Sequence, residues 1–511
     1  MKKYLVFLIV VTMLVSTLTG CKQNRNDTKD NSDQSGDITS AADDGTSDGS
    51  QETVDGWAPI GTSDNPEPVK IVIKDVLPDE EDVILMEEAV EEKMAAHGQY
   101  IDLQVVEPPS GSYATALPLA VRTGEIDADI IYFQGGDLAI SQEGLLEDLT
   151  PYIEASTYVN QIIEPASQER IKNYPYLLWL DSVRIAVPMM RKDWAEQLDS
   201  YKILVEDPTI DNYYNLFKEM KDKGLVDYAI TADGSLARLD SIFNQAFGVT
   251  TTIVKEGDKY IFSKATEAEK NKLEFYAKLY KEGLLDPEYI TNTWDVAEQK
   301  FYEGKAGILS ANQPAAVEIY NNNMIAANGE EAELIALPPA KGVAEGYAAV
   351  DTTKESRGFA INVDSEHKAA AWAFLEFMAS PEGRIIDKLG IEGVHYNIEG
   401  DKIVRTEAAA NWWSRIWGTT NAFEPNPPLA ESFYSQAAQS YIDLAGKYYV
   451  QDINIIIPDD MAPSWDSMNM LYNEFSTNYV LGSNTDFDSF VNEWNKDGGD
   501  QFSEYIPTVL Q

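Results

Sequence analysis

The sequence predicts an α/β fold built on more than one sheet, and three observations carry that reading. Between residues 69 and 133, apolar stretches with strand spacing alternate with stretches of helical spacing. The alternation returns between 213 and 310, and again from Gly358. Alternation of this kind marks a parallel sheet covered by helices on its faces, with right-handed crossovers. At 511 residues, 44% of them hydrophobic, the chain has material for two or more large domains.

In the first block, 69–73 reads as a strand, and Val83, Met86, Val90 and Met94 recur at helical spacing. Ile101, Leu103 and Val105 alternate as a strand does. Leu117, Ala120 and Val121 mark a second helix stopped by Gly124, and 128–133 is a compact apolar strand. In the second block, Thr209 caps a helix carrying Tyr213, Leu216, Phe217 and Met220, which Gly224 ends. Leu273, Tyr276, Ala277 and Tyr280 repeat that spacing before Gly283. A short helix with Ala297 and Phe301 closes at Gly304 and leads into a strand at 306–310. In the third block, a strand at 359–363 precedes a helix with Ala371, Leu375 and Met378. Ser380 then reads as an N-cap with Pro381 at the first helical position. Beyond about residue 405 the chain reads as mainly helical and aromatic.

The N-terminus has a different character. Lys2 and Lys3 precede an apolar run over 4–15, the charged and greasy regions of a secretory signal. The run is too short for a membrane span of about 20 residues. It leads to Leu18-Thr19-Gly20-Cys21, which resembles the lipobox of bacterial lipoproteins, cut before a cysteine that then receives lipid. Cys21 is the only cysteine, so attachment gives it a purpose where an ordinary signal peptide would not. Residues 1–20 are thus expected to be a lipoprotein signal, and 21–66 a lipidated cysteine with an acidic, disordered tether. With 85 acidic against 39 basic side chains, the net charge is −46. Such a surface argues against nucleic acid and makes a strongly anionic ligand less expected.

Ligands of open α/β sheets bind beyond the carboxyl ends of strands. The turns there contain 107–113, 132–137 and 310–314, which supply amides, hydroxyls, carboxylates and aromatic rings. Hydroxyl-rich ligands need such groups, with ring faces for the C–H face of a sugar. A second feature is the aromatic group Trp412, Trp413 and Trp417, for which core and ligand platform are both open; Trp465 is a weaker case of the same kind. Catalytic signatures are thin. There are three histidines, His97, His367 and His395, and no HExxH, GxSxG or P-loop.

Several stretches, taken in order, resemble the extracellular solute-binding proteins of family 1, the lipoproteins that feed carbohydrate ABC importers. They are 121–131, Val121-Arg122-Thr123-Gly124-Glu125-Ile126-Asp127 and onward, and 143–153, beginning Glu143-Gly144-Leu145-Leu146. Arg191-Lys192-Asp193-Trp194, Phe301-Tyr302-Glu303-Gly304-Lys305-Ala306, Ser380-Pro381-Glu382-Gly383 and Gly390-Ile391-Glu392-Gly393 follow. The resemblance spans roughly 69–505. It implies a two-lobed, type II periplasmic-binding-protein-like fold with the ligand cleft between lobes. Lobe 1 would hold 67–185 plus 345–400, and lobe 2 would hold 186–344 plus 401–511. It carries cleft residues onto Phe133, Gln134 and Asp137, and onto Asn312 and Gln313. It also implies a monomer with no catalytic residues and no cofactor, at the outer face of a Gram-positive cell membrane, presenting an oligosaccharide to permease subunits. Large members hold a calcium loop after the helix that here spans 210–222. This chain reads Lys221-Asp222-Lys223-Gly224-Leu225-Val226-Asp227 there, so no metal is expected. The stretch 181–190 is also shorter than usual, which removes cleft-lining residues. The rival readings are a tethered carbohydrate-active enzyme and a binding protein for a non-sugar solute such as a peptide.

Overall fold

Two mixed sheets, each wrapped by helices, organise the chain in the computed structural model. The structure describes residues 56–163, 165–180, 184–400, 402–410, 412–417, 434–458 and 460–510. The expected signal, Cys21 and most of the tether lie outside the described residues.

The first sheet has the strand order Ile101–Val106, Glu67–Val72, Ile130–Gln134, Arg357–Ile361. Its first three strands are parallel, with Val69 opposite Leu103 and Ile71 opposite Ile130. The fourth returns antiparallel, with Phe359 opposite Tyr132. The helix Glu81–Ala96 buries Val83, Met86, Val90 and Met94, the stripe that the spacing marked. Ile101, Leu103 and Val105 turn inward while their neighbours face water. Ser380 accepts from the Gly383 N–H at 3.2 Å and Pro381 opens the helix Pro381–Leu389, which supplies one of the orphan donors' partners.

The second sheet runs Tyr228–Ile230, Ala306–Ala311, Val187–Arg191, Leu334–Ala336. Only its first pair is parallel. Alternation along Val187–Arg191 gives this sheet two covered faces. Val187 and Met189 join one core with Tyr320 and Tyr441, while Met190 joins another with Phe217, Phe243 and Phe475. Thr209 Oγ1 accepts from the Asn212 N–H at 3.2 Å, capping Ile210–Asp222. The helices Gln436–Tyr448, Ala462–Leu481, Phe487–Trp494 and Asp500–Val509 pack on this lobe.

The core clusters redraw three expected limits. The body begins before residue 67: Trp57 is only 8% exposed and stacks on Tyr158 with centroids 5.0 Å apart. Turn-forming residues around it hid a buried anchor within a polar stretch. Tyr347 packs in the second lobe, although 345–400 was assigned to the first. Trp412, Ile416 and Trp417 pack in the first lobe's core, although 401–511 was assigned to the second. The chain is therefore still with lobe 1 beyond the hairpin formed by Tyr396–Glu399 and Lys402–Arg405.

Candidate functional site

A cavity of about 600 Å³ is lined by residues of both lobes, within the size range of small-molecule sites. Lobe 1 contributes strand ends. Lys74 follows Glu67–Val72, Tyr132 and Gln134 close the strand Ile130–Gln134, and Arg357 opens the antiparallel strand beside it. Lobe 2 contributes Gln313, Glu318, Ile319 and Asn322 from the segment after the strand Ala306–Ala311. The remaining wall is the hairpin end and the segment after it, with Arg405, Trp412, Trp413 and Arg415.

Trp179 stands at the exit from lobe 1. It is fixed because Leu178 exchanges two 2.8 Å backbone hydrogen bonds with Phe359. Gly358 lets those chains approach: at φ +149° it has no room for a side chain, whose Cβ would lie 2.7 Å from the Leu178 carbonyl oxygen. The Trp179 ring meets Tyr132 at 5.7 Å, and the Arg357 guanidinium lies 5.8 Å from its centroid. In the wall formed by 412–416 the Arg415 guanidinium lies 4.8 Å from the centroids of both Trp412 and Trp413. Burial lowers the Arg415 pKa, against the pull of Asp82.

A second cavity, about 470 Å³, shares Arg184, Gln313 and Ile319 with the first and extends the cleft into lobe 2. Asn312, Tyr320 and Trp294 line it, with Trp294 50% exposed and its Nε1 donating to the Tyr320 hydroxyl at 3.0 Å. Arg238 pairs with Asp233 there, at 2.7 Å and 3.1 Å. Burial works against the Arg238 charge, but Asp233 outweighs it and raises the pKa.

The site residues expected from the sequence separate cleanly. Gln134, Gln313 and Asn312 line the cleft. Phe133 does not: side chains alternate along the strand, so Tyr132 and Gln134 face the cavity and Phe133 is fully buried in the core. Asp137 is also fully buried and lines neither cavity. Its carboxylate accepts from the Tyr176 hydroxyl at 2.9 Å and from the Ser356 hydroxyl, clamping the loop to the strand entry. Gly136 is required by packing, since a Cβ there would lie 2.6 Å from Pro118 Cγ. The three tryptophans have three fates. Trp417 is core, edge-on to Phe359 at 5.3 Å. Trp412 is largely buried, though it reaches the cavity, and its Nε1 donates to the Asp387 carbonyl at 2.9 Å. Trp413 is 42% exposed at the cavity wall. Trp465 packs 4.9 Å from Phe262 in the second lobe. Sequence reasoning missed Trp179, Trp294 and the cleft's basic residues.

Among the described residues no group of three or more His, Cys, Asp or Glu side chains could hold a metal ion. Where a calcium loop would follow Ile210–Asp222, Lys221 Nζ donates to the Gly283 carbonyl at 2.7 Å.

The profile of the bacterial extracellular solute-binding protein family matches residues 79–385. Lipoprotein LipO of Bacillus subtilis is 22% identical over 452 residues, covering 80% of this chain and 86% of the relative. The polygalacturonan/rhamnogalacturonan-binding protein YtcQ of the same organism is 24% identical over 352 residues, covering 63% and 67%. In three dimensions the chain is similar to the N-glycan transport solute-binding protein NgtS of Streptococcus pneumoniae. The TM-score is 0.64 at 14% identity, over 86% of this chain and 96% of that one. That likeness shows the shared two-lobed, mixed α/β fold.

Proposed function

The chain belongs to the bacterial extracellular solute-binding proteins, and from that premise we propose that it captures an oligosaccharide between its lobes and hands it to an ABC importer. The observation that carries the reading is the lining of the cleft. Trp413 lines the first cavity with the amides of Gln134, Gln313 and Asn322, and Trp294 lines the second with Asn312 and Gln313. Amides donate and accept at once, and rings cover the apolar face of a pyranose. The polygalacturonan/rhamnogalacturonan-binding relative and the N-glycan transport solute-binding neighbour support it. A ligand touching Gln134 of one lobe and Gln313 of the other gains its full contacts only when both lobes close on it. That difference in contacts shifts the equilibrium toward the closed form.

Calorimetry against an oligosaccharide panel tests this. Binding is expected with the glycans recovered intact, and released product would make the protein an enzyme. Trp413→Ala should weaken binding about ten-fold, the order of one stacked ring. The melting temperature of the empty protein should hardly move, because the ring is exposed. Unchanged affinity would remove Trp413 from the site.

We further propose attachment to the outer membrane face through lipid on Cys21. Two acyl chains anchor stably where one does not. Cys21→Ala should shift the protein to the medium or leave uncleaved precursor. Retained labelling with radioactive fatty acid would end the anchor reading.

A further inference from the structure

We infer that the captured oligosaccharide is acidic, carrying the carboxylates of uronic-acid residues; this rests on the oligosaccharide reading above and specifies its class. The first cavity is lined by six cationic side chains, Lys74, Arg184, Arg357, Lys388, Arg405 and Arg415. Among the described residues Glu318 is the one carboxylate in that lining. The chain holds 85 acidic and 39 basic side chains, so a wall drawn at random would be mostly acidic. The concentration of cations here runs against the composition of the whole chain.

Three of the cations have carboxylate partners that stand outside the lining. Arg357 pairs with Glu355 at 3.1 Å, Lys74 with Asp75 at 3.3 Å, and Arg415 lies 3.9 Å from Asp82. None of these three carboxylates lines the cavity. Glu318 offsets little. Its carboxylate already accepts the Ser435 N–H at 2.7 Å, and it is one carboxylate against six cations.

Geometry adds specificity to the charge. Arg357 lies beside Trp179, and Arg415 beside Trp412 and Trp413. A uronate residue presents an apolar C–H face and, at its edge, a planar carboxylate. The Trp179 ring next to the Arg357 guanidinium matches both, since a guanidinium fork binds carboxylate through paired hydrogen bonds; Arg415, its side chain 1% exposed and Nη1 donating to the Trp413 carbonyl, contributes charge.

The net charge of −46 suggested the opposite ligand. Screening resolves the conflict: at physiological ionic strength charges more than about 8 Å apart in solvent hardly interact. The distant acidic exterior therefore weakens approach without deciding affinity inside the cleft, where the nearest charges are basic.

The test is calorimetry of the full chain with trimeric to hexameric oligogalacturonate and oligomannuronate, the methyl esters of each, and neutral galacto- and malto-oligosaccharides. One uronate series should bind at least ten-fold more tightly than its methyl ester, with affinity falling as salt rises. Arg357→Gln should lose at least ten-fold for that uronate and change little for its ester. Arg405→Gln serves as a second variant should the first lower the melting temperature. Esters binding as well as acids, or neutral sugars binding while both uronates fail, would overturn the inference and leave the oligosaccharide reading standing. No binding by any sugar in the panel would overturn both.

Discussion

Replacing Lys272 with Met is expected to destabilise the second lobe by about 3–5 kcal/mol, the range for breaking a buried ion pair from one side. Lys272 is 1% exposed and lies 2.8 Å from Asp240 and 2.9 Å from Glu269, itself 1% exposed. The tyrosine hydroxyls of Tyr276 and Tyr472 donate to those same carboxylates, at 3.0 Å and 2.5 Å. Without the ammonium, the buried Glu269 carboxylate and the part-exposed Asp240 carboxylate lose the cation between them. Urea midpoints for Lys272→Met and Lys272→Met/Glu269→Leu measure the effect. The double variant should recover much of the loss, because it removes the stranded charge. Equal losses in both would mean that packing, not charge, fixes the cluster. Burial opposes the lysine's charge, but Asp240 and Glu269 outweigh it and raise its pKa. The lysine's contribution is therefore full below the ordinary lysine value and is lost as pH rises through the raised one. The wild type should lose stability there relative to Lys272→Met.

Local pattern was legible where burial is a property of one element. The stripe Val83, Met86, Val90, Met94 and the Ser380-Pro381 helix start needed only spacing and capping chemistry. The cleft was legible only in part, because its wall is assembled across long sequence distances. Gln134 ends its strand and Gln313 sits in the turn that follows one, so the strand-end rule reached them. Lys388 lies near the end of the helix Pro381–Leu389, Arg405 ends a hairpin strand and Arg357 starts an antiparallel one. Nothing in their neighbours' spacing marks them as meeting. Asp137 failed for another reason. A carboxylate after a glycine pair reads as a ligand group, yet the Tyr176 and Ser356 hydroxyls that consume it come from other segments. Trp412, Trp413 and Trp417 show that even adjacent aromatics divide between core and wall, which depends on how the loop is pinned rather than on residue type.

Asp387 does the pinning, and Asp387→Ala is expected to cost about 3–5 kcal/mol. The carboxylate is 2% exposed, and it accepts the backbone N–H groups of Arg415 at 2.8 Å, Ile416 at 2.9 Å and Trp417 at 2.9 Å. An alanine leaves three donors facing a closed interior, each lacking a partner at about 1–3 kcal/mol before the loop relaxes. A loss above about 4 kcal/mol is exceptional for one residue, so relaxation limits the sum. Relaxation would move Trp412 to Ile416, which form one wall of the cleft. Ligand affinity should thus fall even where the variant stays folded. Asp387→Asn should be milder, since an amide oxygen can keep the Arg415 and Ile416 donors while its NH₂ confronts only Trp417. Burial pushes the Asp387 carboxyl pKa up, against those three N–H donors. A carboxyl with a raised folded-state pKa is most favourable to folding below its unfolded value and loses that advantage as pH rises through the folded one. The penalty of Asp387→Ala, read from urea midpoints across pH, should therefore grow on acidification. A small penalty that does not vary with pH, with ligand affinity unchanged, would show that the tryptophan loop holds its place without this carboxylate.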